Sequence, residues 1–433
     1  MWQQLQRASL FIRLVAYVVK ALFTHHLRTL RLKVYSLTSR SAPADDDGGE
    51  QRTRNIVIVG AAFAGYHAAR VIATSLPRRS PYRVVVVEPN SHFNFTWVLP
   101  RFCVVEGHEH KAFIPYGGYV SGPGVAPGAV RWVRDRVESA GRTSVRLRGG
   151  EEIQYDFLIV ATGANVAEGL PSRLGVEDKA DGVELLRAYQ QRIKDAKHVV
   201  VAGGGAAGVE VATDAKAAYP EKDVVLVHSR SAVMHRFSPG LQAATVEALE
   251  RLGVKLVLEE KVVSHDVEAN TVSLTSGTTI ECDCFVNCTG QKPASGLIAA
   301  LSPTSVSSSG HISVKPTLQI TDDSLPNVYA CGDVAETHTP NPNSRSAMRQ
   351  AEIVADNVLI AIHGKEPRYT YKPQWGDGLI KLTLGLDRSV LQFWDGKSEM
   401  LFPSEEKDLA LMVDSVWTKM GAKPFDDTGE MKA

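Results

Sequence analysis

The 433-residue sequence lacks the features that mark several specialised classes of protein. Lys and Arg number 48, and so do Asp and Glu, so the chain has no overall positive charge for binding nucleic acid. None of its five cysteines forms a C-x-x-C pair, which argues against a disulfide framework and for a reducing compartment. Apolar residues make up 44% and charged residues 22%, which excludes a disordered chain and a multi-span membrane protein. The length fits roughly two or three globular domains.

Acidic residues are absent from residues 1–44, although this segment contains seven basic ones: Arg7, Arg13, Lys20, Arg28, Arg31, Lys33 and Arg40. The remaining chain has 41 of the 48 basic residues and all 48 acidic ones. The zero net charge therefore combines a segment of +7 with a body of −7.

The apolar stretch at residues 9–23 is interrupted by Arg13 and Lys20, so it falls short of the ~20 apolar residues that a spanning helix needs. These two side chains are seven residues apart and share one stripe of a helix. The pattern predicts a basic amphipathic targeting or membrane-anchor segment over residues 1–42, followed by a linker at 43–52. A mitochondrial presequence or anchor, an anchor to the cytoplasmic face of another membrane or lipid droplet, and a soluble surface helix remain open.

A strand, a glycine-rich turn, a helix, a second strand and an acid follow one another from residue 55. The turn runs from Gly60 to Gly65, and the second strand leads to Glu88. In this order the turn places a pyrophosphate at the helix N-terminus and the acid binds ribose hydroxyls. Ala62 stands where the G-x-G-x-x-G pattern has its second glycine. Taken alone, this weakened motif also fits an ordinary strand–helix turn.

A second copy of the pattern begins at residue 198, with Gly203, Gly205 and Gly208 at the full spacing. The next predicted strand ends at His228, and Arg230 follows it. An acid at this point selects NAD, whereas an arginine holds the 2′-phosphate of NADP. The second site is therefore expected to accept NADPH, with NADH alongside it. The alternative is that His228 and Arg230 only end a strand.

Three further segments are predicted strands that end at glycine turns. Two end at Thr162-Gly163 and at Gly290, and each is expected to be a crossover between the two folds. The third ends at Gly332-Asp333, where the carboxylate can hydrogen-bond the ribityl chain of a flavin. Two dinucleotide sites in one chain indicate one bound flavin and one exchanging nicotinamide.

Together these residues resemble the two-dinucleotide-domain flavoproteins, the superfamily that includes the pyridine nucleotide–disulfide reductases. Within it, the chain is similar over about residues 55–420 to the ferroptosis-suppressor family, also described as mitochondrion-associated homologues of apoptosis-inducing factor. Residues 203–210, 219–229, 371–373 and 415–420 carry this similarity. Residues 95–100 also resemble a flavin-adjacent segment of type II NADH dehydrogenases, which are quinone reductases.

The resemblance implies an enzyme that takes a hydride from NAD(P)H onto FAD and passes the electrons to a membrane quinone of ubiquinone type. It assigns FAD to Gly60, Gly65, Glu88, Arg101 and Asp333, and the nicotinamide cofactor to Gly203, Gly205, Gly208 and Glu210. Glu210 and Lys372 are the candidate catalytic residues. Gln350 is a further candidate for positioning or for protonating the quinone.

A disulfide reductase of this superfamily needs a redox pair of cysteines beside the flavin. Cys103 stands alone, Cys282 and Cys284 alternate along a strand, and Cys331 precedes Gly-Asp, so these residues fit packing better than redox chemistry. The flavin is therefore expected to pass electrons directly to a small acceptor or to O₂. No cluster of His, Cys or Asp has the spacing of a metal site.

The sequence thus predicts an α/β protein with two Rossmann-like domains, a small C-terminal α+β domain and the N-terminal basic helix. Residues 53–166 and 289–365 are assigned to the FAD domain, 167–288 to the NAD(P)H domain and 366–433 to the C-terminal domain. In the last, residues 379–384 and 389–394 predict a hairpin. Residues 405–420 predict a helix whose apolar face packs in the core, lines a quinone entrance, binds a membrane or forms a homodimer contact.

Two other functions remain open at this point. A reductase of a soluble electron carrier would have no need of the membrane-seeking segment, which favours the quinone. An apoptosis-related protein that binds DNA, with secondary redox activity, would want a basic surface, against which the −7 body argues.

Overall fold

The computed structural model describes residues 9, 11–20, 23–24, 26–28, 30, 53–122, 124–165 and 171–427. The first helix, α1, covers residues 11–20, and the described positions from there to residue 30 are also helical. The predicted linker at 43–52 lies outside the described residues. Within the described part of the chain, no helix has both the length and the apolar character to cross a membrane.

The first large sheet is fully parallel, in the order β20-β9-β1-β2-β5. Its strands are short runs rich in Val and Ile, as expected where both faces of a sheet are covered. They are β1 (Arg54–Val59), β2 (Tyr82–Val87), β5 (Val130–Val133), β9 (Phe157–Val160) and β20 (Val328–Ala330). Two helices, α2 (Phe63–Ser75) and α8 (Ser344–Ala361), pack against each other beside it.

Smaller elements complete this first domain. They are an antiparallel sheet of β6 (Val137–Ala140), β7 (Ser144–Leu147) and β8 (Glu152–Gln154), the pair β3 (His92–Asn94) and β4 (Phe113–Pro115), the parallel pair β19 (Ile312–Ser313) and β21 (Ala335–Glu336), the helices α3 (Leu99–Phe102) and α7 (Gly296–Leu301), and the 3₁₀ turns Glu109–Ala112 and Pro303–Ser305.

The second large sheet repeats the design, with four parallel strands in the order β13-β12-β11-β17. Its strands are β11 (His198–Ala202), β12 (Asp223–His228), β13 (Lys255–Leu258) and β17 (Cys284–Asn287), and its helices are α4 (Lys179–Asp195), α5 (Ala206–Ala218) and α6 (Pro239–Leu252). An antiparallel sheet of β14 (Val262–Asp266), β15 (Thr271–Leu274) and β16 (Thr279–Glu281) follows. A two-stranded ribbon, β10 (Ala164–Asn165) with β18 (Lys292–Pro293), pairs the two chain crossings between the domains.

The C-terminal region is an antiparallel meander of β22 (Ile380–Thr383), β23 (Arg388–Trp394) and β24 (Glu399–Glu405), preceded by the 3₁₀ turn Trp375–Gly378 and followed by α9 (Val413–Lys419). The predicted α/β fold class, with two parallel sheets of the dinucleotide-binding kind, is confirmed. The domain boundaries themselves stay predictions.

The predicted helix at residues 405–420 is wrong over its first half. Glu405 ends strand β24, and the helix begins only at Val413. Leu411 and Met412 have φ angles of +55° and +57°, which a helix does not tolerate. The Asp408 carboxylate accepts hydrogen bonds from the backbone N–H groups of Ala410 and Met412, so it stabilises a turn in place of the helix.

Candidate dinucleotide-binding sites

The backbone of the two glycine turns requires glycine at the first and third positions of each turn. Gly60 and Gly203 have φ angles of +93° and +110°, the region that only glycine adopts at low cost. A Cβ at Gly65 would lie 1.8 Å from the carbonyl oxygen of Gly60, and a Cβ at Gly208 would lie 1.8 Å from that of Gly203. The third glycine therefore lets each helix approach its strand closely, as in a Rossmann turn.

Unlike the first and third positions, the middle position of each turn has space for a side chain, which explains why the turn tolerates Ala62. A Cβ built at its counterpart Gly205 meets no heavy atom of the described protein within 4 Å. The Ala62 methyl is compatible with the turn for the same reason, because that position opens toward the cavity that Ala62 lines.

In the described part of the chain, the helices that follow the two turns begin without a side-chain cap for their N-terminal backbone N–H groups. Among the described residues, no side chain caps α2 or α5, and neither helix has an acid in its first turn. By contrast, Ser238 caps α6 and Asn343 caps α8 with side-chain oxygens. An uncapped helix start that follows a glycine turn is suited to binding phosphate.

The first cavity, of about 680 Å³, lies at the carboxyl ends of the first sheet. The predicted residues that line it are Gly60, Ala62, Glu88, Thr162 and Gly163. Glu88 accepts hydrogen bonds from the backbone N–H groups of Ala61 at 2.6 Å and Asn90 at 2.9 Å. Burial raises the pKa of this carboxyl group. The cavity, the uncapped helix and the acid at the strand end fit the adenosine and pyrophosphate of FAD.

A hydrogen-bonded group places Asp333 beside this cavity. The Asp333 carboxylate accepts from Nη2 of Arg173 at 2.7 Å, and Arg173 lines the cavity. The adjacent Gly332 donates its backbone N–H to Oε1 of Gln350 at 2.7 Å. Gln350 therefore holds the loop that carries Asp333, which is a positioning role. Sequence reasoning missed Arg173, because no motif marks the segment around it.

Arg101 does not line the first cavity, and its assignment to FAD stays a prediction. Its side chain is 1% exposed, and its Nε donates to Oδ2 of Asp214 at 2.6 Å. Its remaining donors reach the carbonyl oxygens of Gly385 and Leu386, at 3.0 and 3.5 Å. Arg101 therefore joins α3 of the first domain, α5 of the second and the turn between β22 and β23.

Glu210 lies in the same buried cluster and does not line either cavity. Its Oε1 accepts hydrogen bonds from the backbone N–H and the hydroxyl of Thr383, at 3.3 and 3.2 Å. Burial and the neighbouring Asp214 raise the pKa of Glu210 to about 8, and burial raises that of Asp214 to about 6. Arg101 thus faces two carboxyl groups, and Glu210 and Asp214 together retain a proton near neutral pH. Asp214 follows Glu210 by one helical turn, so helix periodicity alone could have indicated it.

The second cavity, of about 460 Å³, lies at the carboxyl ends of the second sheet. Its lining includes Gly203, His228 and Gly290 of the predicted residues. Nδ1 of His228 accepts the backbone N–H of Gly204 at 3.0 Å. Its Nε2 is buried and has no hydrogen-bond partner in the described structure. Burial, with smaller effects of His235 and Arg230, lowers the pKa of His228, so the ring is neutral and Nε2 carries the proton.

The two other predicted residues are exposed. Arg230 follows His228 and Ser229, which line the second cavity, but it is not itself among the lining residues, so its contact with a 2′-phosphate stays a prediction. Lys372 lies between the buried Tyr371 and the turn Trp375–Gly378, and its carbonyl oxygen accepts from Nη2 of Arg349 at 3.1 Å. The structure thus leaves the Lys372 side chain in solvent.

All five cysteines are free thiols, and four of them are buried. Burial raises the pKa of Cys282 and Cys331 to about 12, and it also raises the pKa of Cys103, Cys284 and Cys288. Thiols in this state are poor nucleophiles and poor partners for disulfide exchange.

Comparison with known proteins agrees with this geometry. Residues 54–367 match the family of pyridine nucleotide-disulphide oxidoreductases. The chain is 32% identical over 402 residues to Fe-regulated protein 8 of Mycosarcoma maydis, covering 86% of this chain and 96% of that one. It is 30% identical over 379 residues to ferroptosis suppressor protein 1 of Xenopus tropicalis, covering 84% and 96%.

A solved structure shares the fold. The sulfide:quinone oxidoreductase of Aquifex aeolicus aligns with a TM-score of 0.67 and 14% identity, covering 86% of this chain and 93% of that chain. The protein is accordingly an oxidoreductase whose cofactors are FAD and NAD(P)H. The chain belongs to the ferroptosis-suppressor family, within the pyridine nucleotide-disulphide oxidoreductases.

Proposed function

We propose that the chain is an NAD(P)H:quinone oxidoreductase, which passes electrons from NAD(P)H through FAD to a membrane quinone. The observation that carries this proposal is the state of the cysteines, which are all unpaired and have raised pKa values. A disulfide reductase relays electrons through a cysteine pair, and this chain has no thiolate suited to that step. Electrons must therefore leave the flavin for a diffusible acceptor.

FAD would be held by the first cavity. The start of α2 would bind its pyrophosphate, Glu88 its ribose hydroxyls and Asp333 its ribityl chain. Arg173 supplies a positive charge at the same cavity. When bound, FAD accepts a hydride from NAD(P)H and returns the electrons to an acceptor, while the protein supplies orientation and electrostatics.

NAD(P)H would be held by the second cavity, with its pyrophosphate at the start of α5 and its adenosine ribose beside His228. The ribbon of β10 and β18 connects this domain to the first. Thr162, Gly163 and Gly290, which flank the ribbon, would line the passage between the two cofactors.

Reduction of a quinone to a quinol also consumes protons, and Glu210 is our candidate to hold one. Its carboxyl group is protonated near neutral pH because of burial and of Asp214. Its depth argues for a proton reserve or a positioning role, since Thr383 occupies its Oε1. Lys372 is exposed and adjacent to the Tyr371 segment, and we propose that it contacts the acceptor from the solvent side.

A quinone is favoured over a soluble carrier by the acid-free segment at residues 1–44, with its seven basic residues. This composition suits a surface of anionic lipid, where long-tailed quinones reside. The same composition resembles a mitochondrial presequence, so we propose a mitochondrial membrane as the location.

The test is an anaerobic titration of the purified full-length protein. We expect a yellow protein whose flavin absorbance is bleached by NADPH and restored by a short-tailed ubiquinone analogue. A colourless protein, or a reduced flavin that the analogue leaves reduced, would contradict the proposal.

A matched variant separates quinone reduction from thiol chemistry. Cys282→Ala combined with Cys284→Ala removes the two cysteines that are closest in the sequence. We expect its quinone reductase rate to stay within about twofold of the wild type at equal flavin content. A loss of tenfold or more would assign the thiols a redox role.

A further inference from the structure

A continuous series of hydrogen bonds connects the loop that carries Asp333 with the turn Trp375–Gly378. It begins at the backbone N–H of Gly332, which donates to Oε1 of Gln350 at 2.7 Å. Nε2 of Gln350 donates in turn to the hydroxyl group of Thr337 at 3.1 Å. The series therefore leaves the candidate FAD loop through the side-chain amide of Gln350.

Three hydroxyl groups continue the series. The hydroxyl oxygens of Thr337 and Thr339 are 2.9 Å apart, and that of Thr339 lies 3.0 Å from the Tyr371 hydroxyl. The Tyr371 hydroxyl donates to Oδ2 of Asp377 at 3.4 Å. Except for Thr337, which is half-buried, these side chains are buried, so water competes little for their hydrogen bonds. We call the connected residues the Tyr371 network: Gly332, Gln350, Thr337, Thr339, Tyr371 and Asp377.

The carboxylate of Asp377 fixes the direction of every bond in the network. A carboxylate only accepts, so the single proton of the Tyr371 hydroxyl points at Asp377. Burial raises the pKa of Tyr371, which keeps that proton in place. Thr339 must then donate to Tyr371, and Thr337 must donate to Thr339. Hydrogen bonds that all run in one direction polarise and strengthen one another.

Two consecutive residues of α8 hold the two ends of the network. Gln350 accepts from Gly332, and Nη1 of Arg349 donates to both carboxylate oxygens of Asp377. The guanidinium group of Arg349 also lies over the Tyr371 ring, 5.3 Å from its centroid. Because both ends are attached to one helix, neither the loop nor the turn can move without breaking a bond of the network.

The helix α1 covers the outer end of the network. The ion pair of Arg13 with Asp395 holds this helix against the body of the protein. A Cβ at Gly376 would come within 2.5 Å of the Tyr17 ring, so the ring lies on the backbone next to Asp377. Asp377 is 1% exposed. A carboxylate buried to this degree depends on its hydrogen-bond partners, so the loss of one partner is costly.

The network suits positioning better than proton transfer. Hydroxyl groups pass a proton on because each one both accepts and donates, whereas the Nε2 amide group of Gln350 only donates. The amide therefore interrupts the series before it reaches Gly332. Thr337, the last hydroxyl before the amide, lines neither of the two cavities.

We propose that Tyr371 is a positioning residue for FAD, which holds the loop of Gly332 and Asp333 in the conformation that binds the cofactor. Tyr371 does not line the first cavity, so it acts only through the other members of the network. The inference rests on the proposed binding of FAD at that cavity. It gives the C-terminal segment a part in holding a cofactor that this segment does not touch.

The first test is FAD release from the full-length holoprotein, followed by the rise in flavin fluorescence after dilution. Tyr371→Phe keeps the ring and removes the hydroxyl group. The matched control is Tyr155→Phe, because Tyr155 is a buried tyrosine of the first domain whose hydroxyl donates to the carbonyl oxygen of Gly141 at 2.6 Å. We expect Tyr371→Phe to release FAD at least about fivefold faster than the wild type, and Tyr155→Phe to stay within about twofold of it.

Hydrogen exchange reports on the loop itself, without turnover. At saturating FAD, the backbone N–H of Gly332 should exchange several-fold faster in Tyr371→Phe than in the wild type, because its acceptor Gln350 is held less firmly. Tyr155→Phe should leave this exchange rate unchanged. A purely structural role of the Tyr371 ring would move neither rate, since phenylalanine keeps the ring.

The continuity of the network is tested at Thr339, where Thr339→Val interrupts the series and Thr339→Ser preserves it. We expect Thr339→Val to release FAD as fast as Tyr371→Phe does, and Thr339→Ser to release it at the wild-type rate. The double variant of Tyr371→Phe and Thr339→Val should release FAD no faster than either single variant, because one interruption already disconnects the loop. Additive effects would overturn the network.

Wild-type FAD release by Tyr371→Phe would overturn the inference. So would faster release with unchanged exchange at Gly332, since the loop would then not be what the hydroxyl holds. Failure of the proposed function has a different signature: a short-tailed quinone would not reoxidise the flavin of the wild type, whereas Tyr371→Phe and Tyr155→Phe would still differ in FAD release.

Discussion

The backbone N–H of Gly204 donates to Nδ1 of His228 at 3.0 Å, at the place in the second domain where the N–H of Ala61 donates to Glu88 in the first. Equivalent backbone N–H groups of the two domains thus donate to different acceptors, a carboxylate in the first and an imidazole in the second. A carboxylate presents further acceptors to a ribose, whereas a neutral imidazole with Nδ1 occupied presents a donor. This difference predicts which coenzyme each domain holds.

We expect His228→Glu to change the coenzyme preference. The new carboxylate would accept from ribose hydroxyls and repel a 2′-phosphate, so affinity for 2′,5′-ADP should fall at least about tenfold, or 1.4 kcal/mol. Affinity for NAD⁺ should rise or stay unchanged. Calorimetric titration of the two ligands measures this without turnover.

His228→Gln is the matched control, because its amide oxygen can accept from Gly204 while its amide nitrogen still donates. It should keep the wild-type preference. If His228→Glu binds 2′,5′-ADP as tightly as the wild type, the imidazole has no part in recognising the phosphate and Arg230 alone is responsible.

A second prediction compares two glycines of one turn. Gly208→Ala places a methyl group 1.8 Å from the carbonyl oxygen of Gly203, so the start of α5 must shift away from its strand. We expect a melting temperature lower by at least about 4 °C, as for a loss of a few kcal/mol in a large protein. Gly205→Ala meets no protein atom within 4 Å, and it should change only NADPH affinity.

Differential scanning fluorimetry of both variants, at saturating FAD, checks this prediction. The FAD domain supplies an internal comparison, since it already has alanine at the equivalent position, Ala62. Equal melting temperatures for the two variants would mean that the close approach of helix and strand does not constrain the fold.

The third prediction concerns pH. The pKa of Glu210 in the folded state, about 8, lies above its ordinary value of 4.5. Between these values the folded state keeps a proton that the unfolded state releases, so the free energy of unfolding falls as pH rises through this window. Glu210→Gln has no such proton, and it should become more stable than the wild type by at least about 1 kcal/mol at pH 8.

Urea unfolding at pH 5, 6.5 and 8 measures the difference, with Glu247→Gln on the exposed side of α6 as the control. Asp214 contributes in the same direction up to its own pKa of about 6, so the wild-type slope should be steepest below that pH. Parallel stability curves for wild type and Glu210→Gln would show that Glu210 is ionised in the folded protein.

The sequence indicates both dinucleotide domains because strand, turn and helix are contiguous in the chain. The second copy of the pattern was predicted to begin at residue 198, which is where strand β11 begins. Both patterns are local, since apolar periodicity and glycine spacing extend over a few residues. His228 ends strand β12 and Glu88 directly follows strand β2, as predicted, for the same reason.

Long-range partners could not be predicted in this way. Arg101 and Asp214 are 113 residues apart, and no periodicity connects them. The same holds for Arg173 with Asp333 and for Arg13 with Asp395, which are brought together only by tertiary packing. The orientation of α1 could not be predicted either, because an amphipathic pattern does not show which face of the helix packs against the rest of the protein.

The last prediction tests whether α9 belongs to the core. Trp417 is fully buried, packs against Phe425 and donates its indole N–H to the carbonyl oxygen of Lys111 at 2.8 Å. Trp417→Ala should therefore lower the free energy of unfolding by about 3–5 kcal/mol, and Trp417→Phe by less, since it loses mainly the hydrogen bond. Met412, which is half-exposed just before the helix, provides the contrast: Met412→Asp should leave stability within about 0.5 kcal/mol. Urea unfolding, vesicle binding and light scattering on the same samples distinguish a core helix from a membrane-binding or dimer surface. If the helix formed such a surface, Met412→Asp would reduce vesicle binding or dimer formation, and Trp417→Phe would change neither.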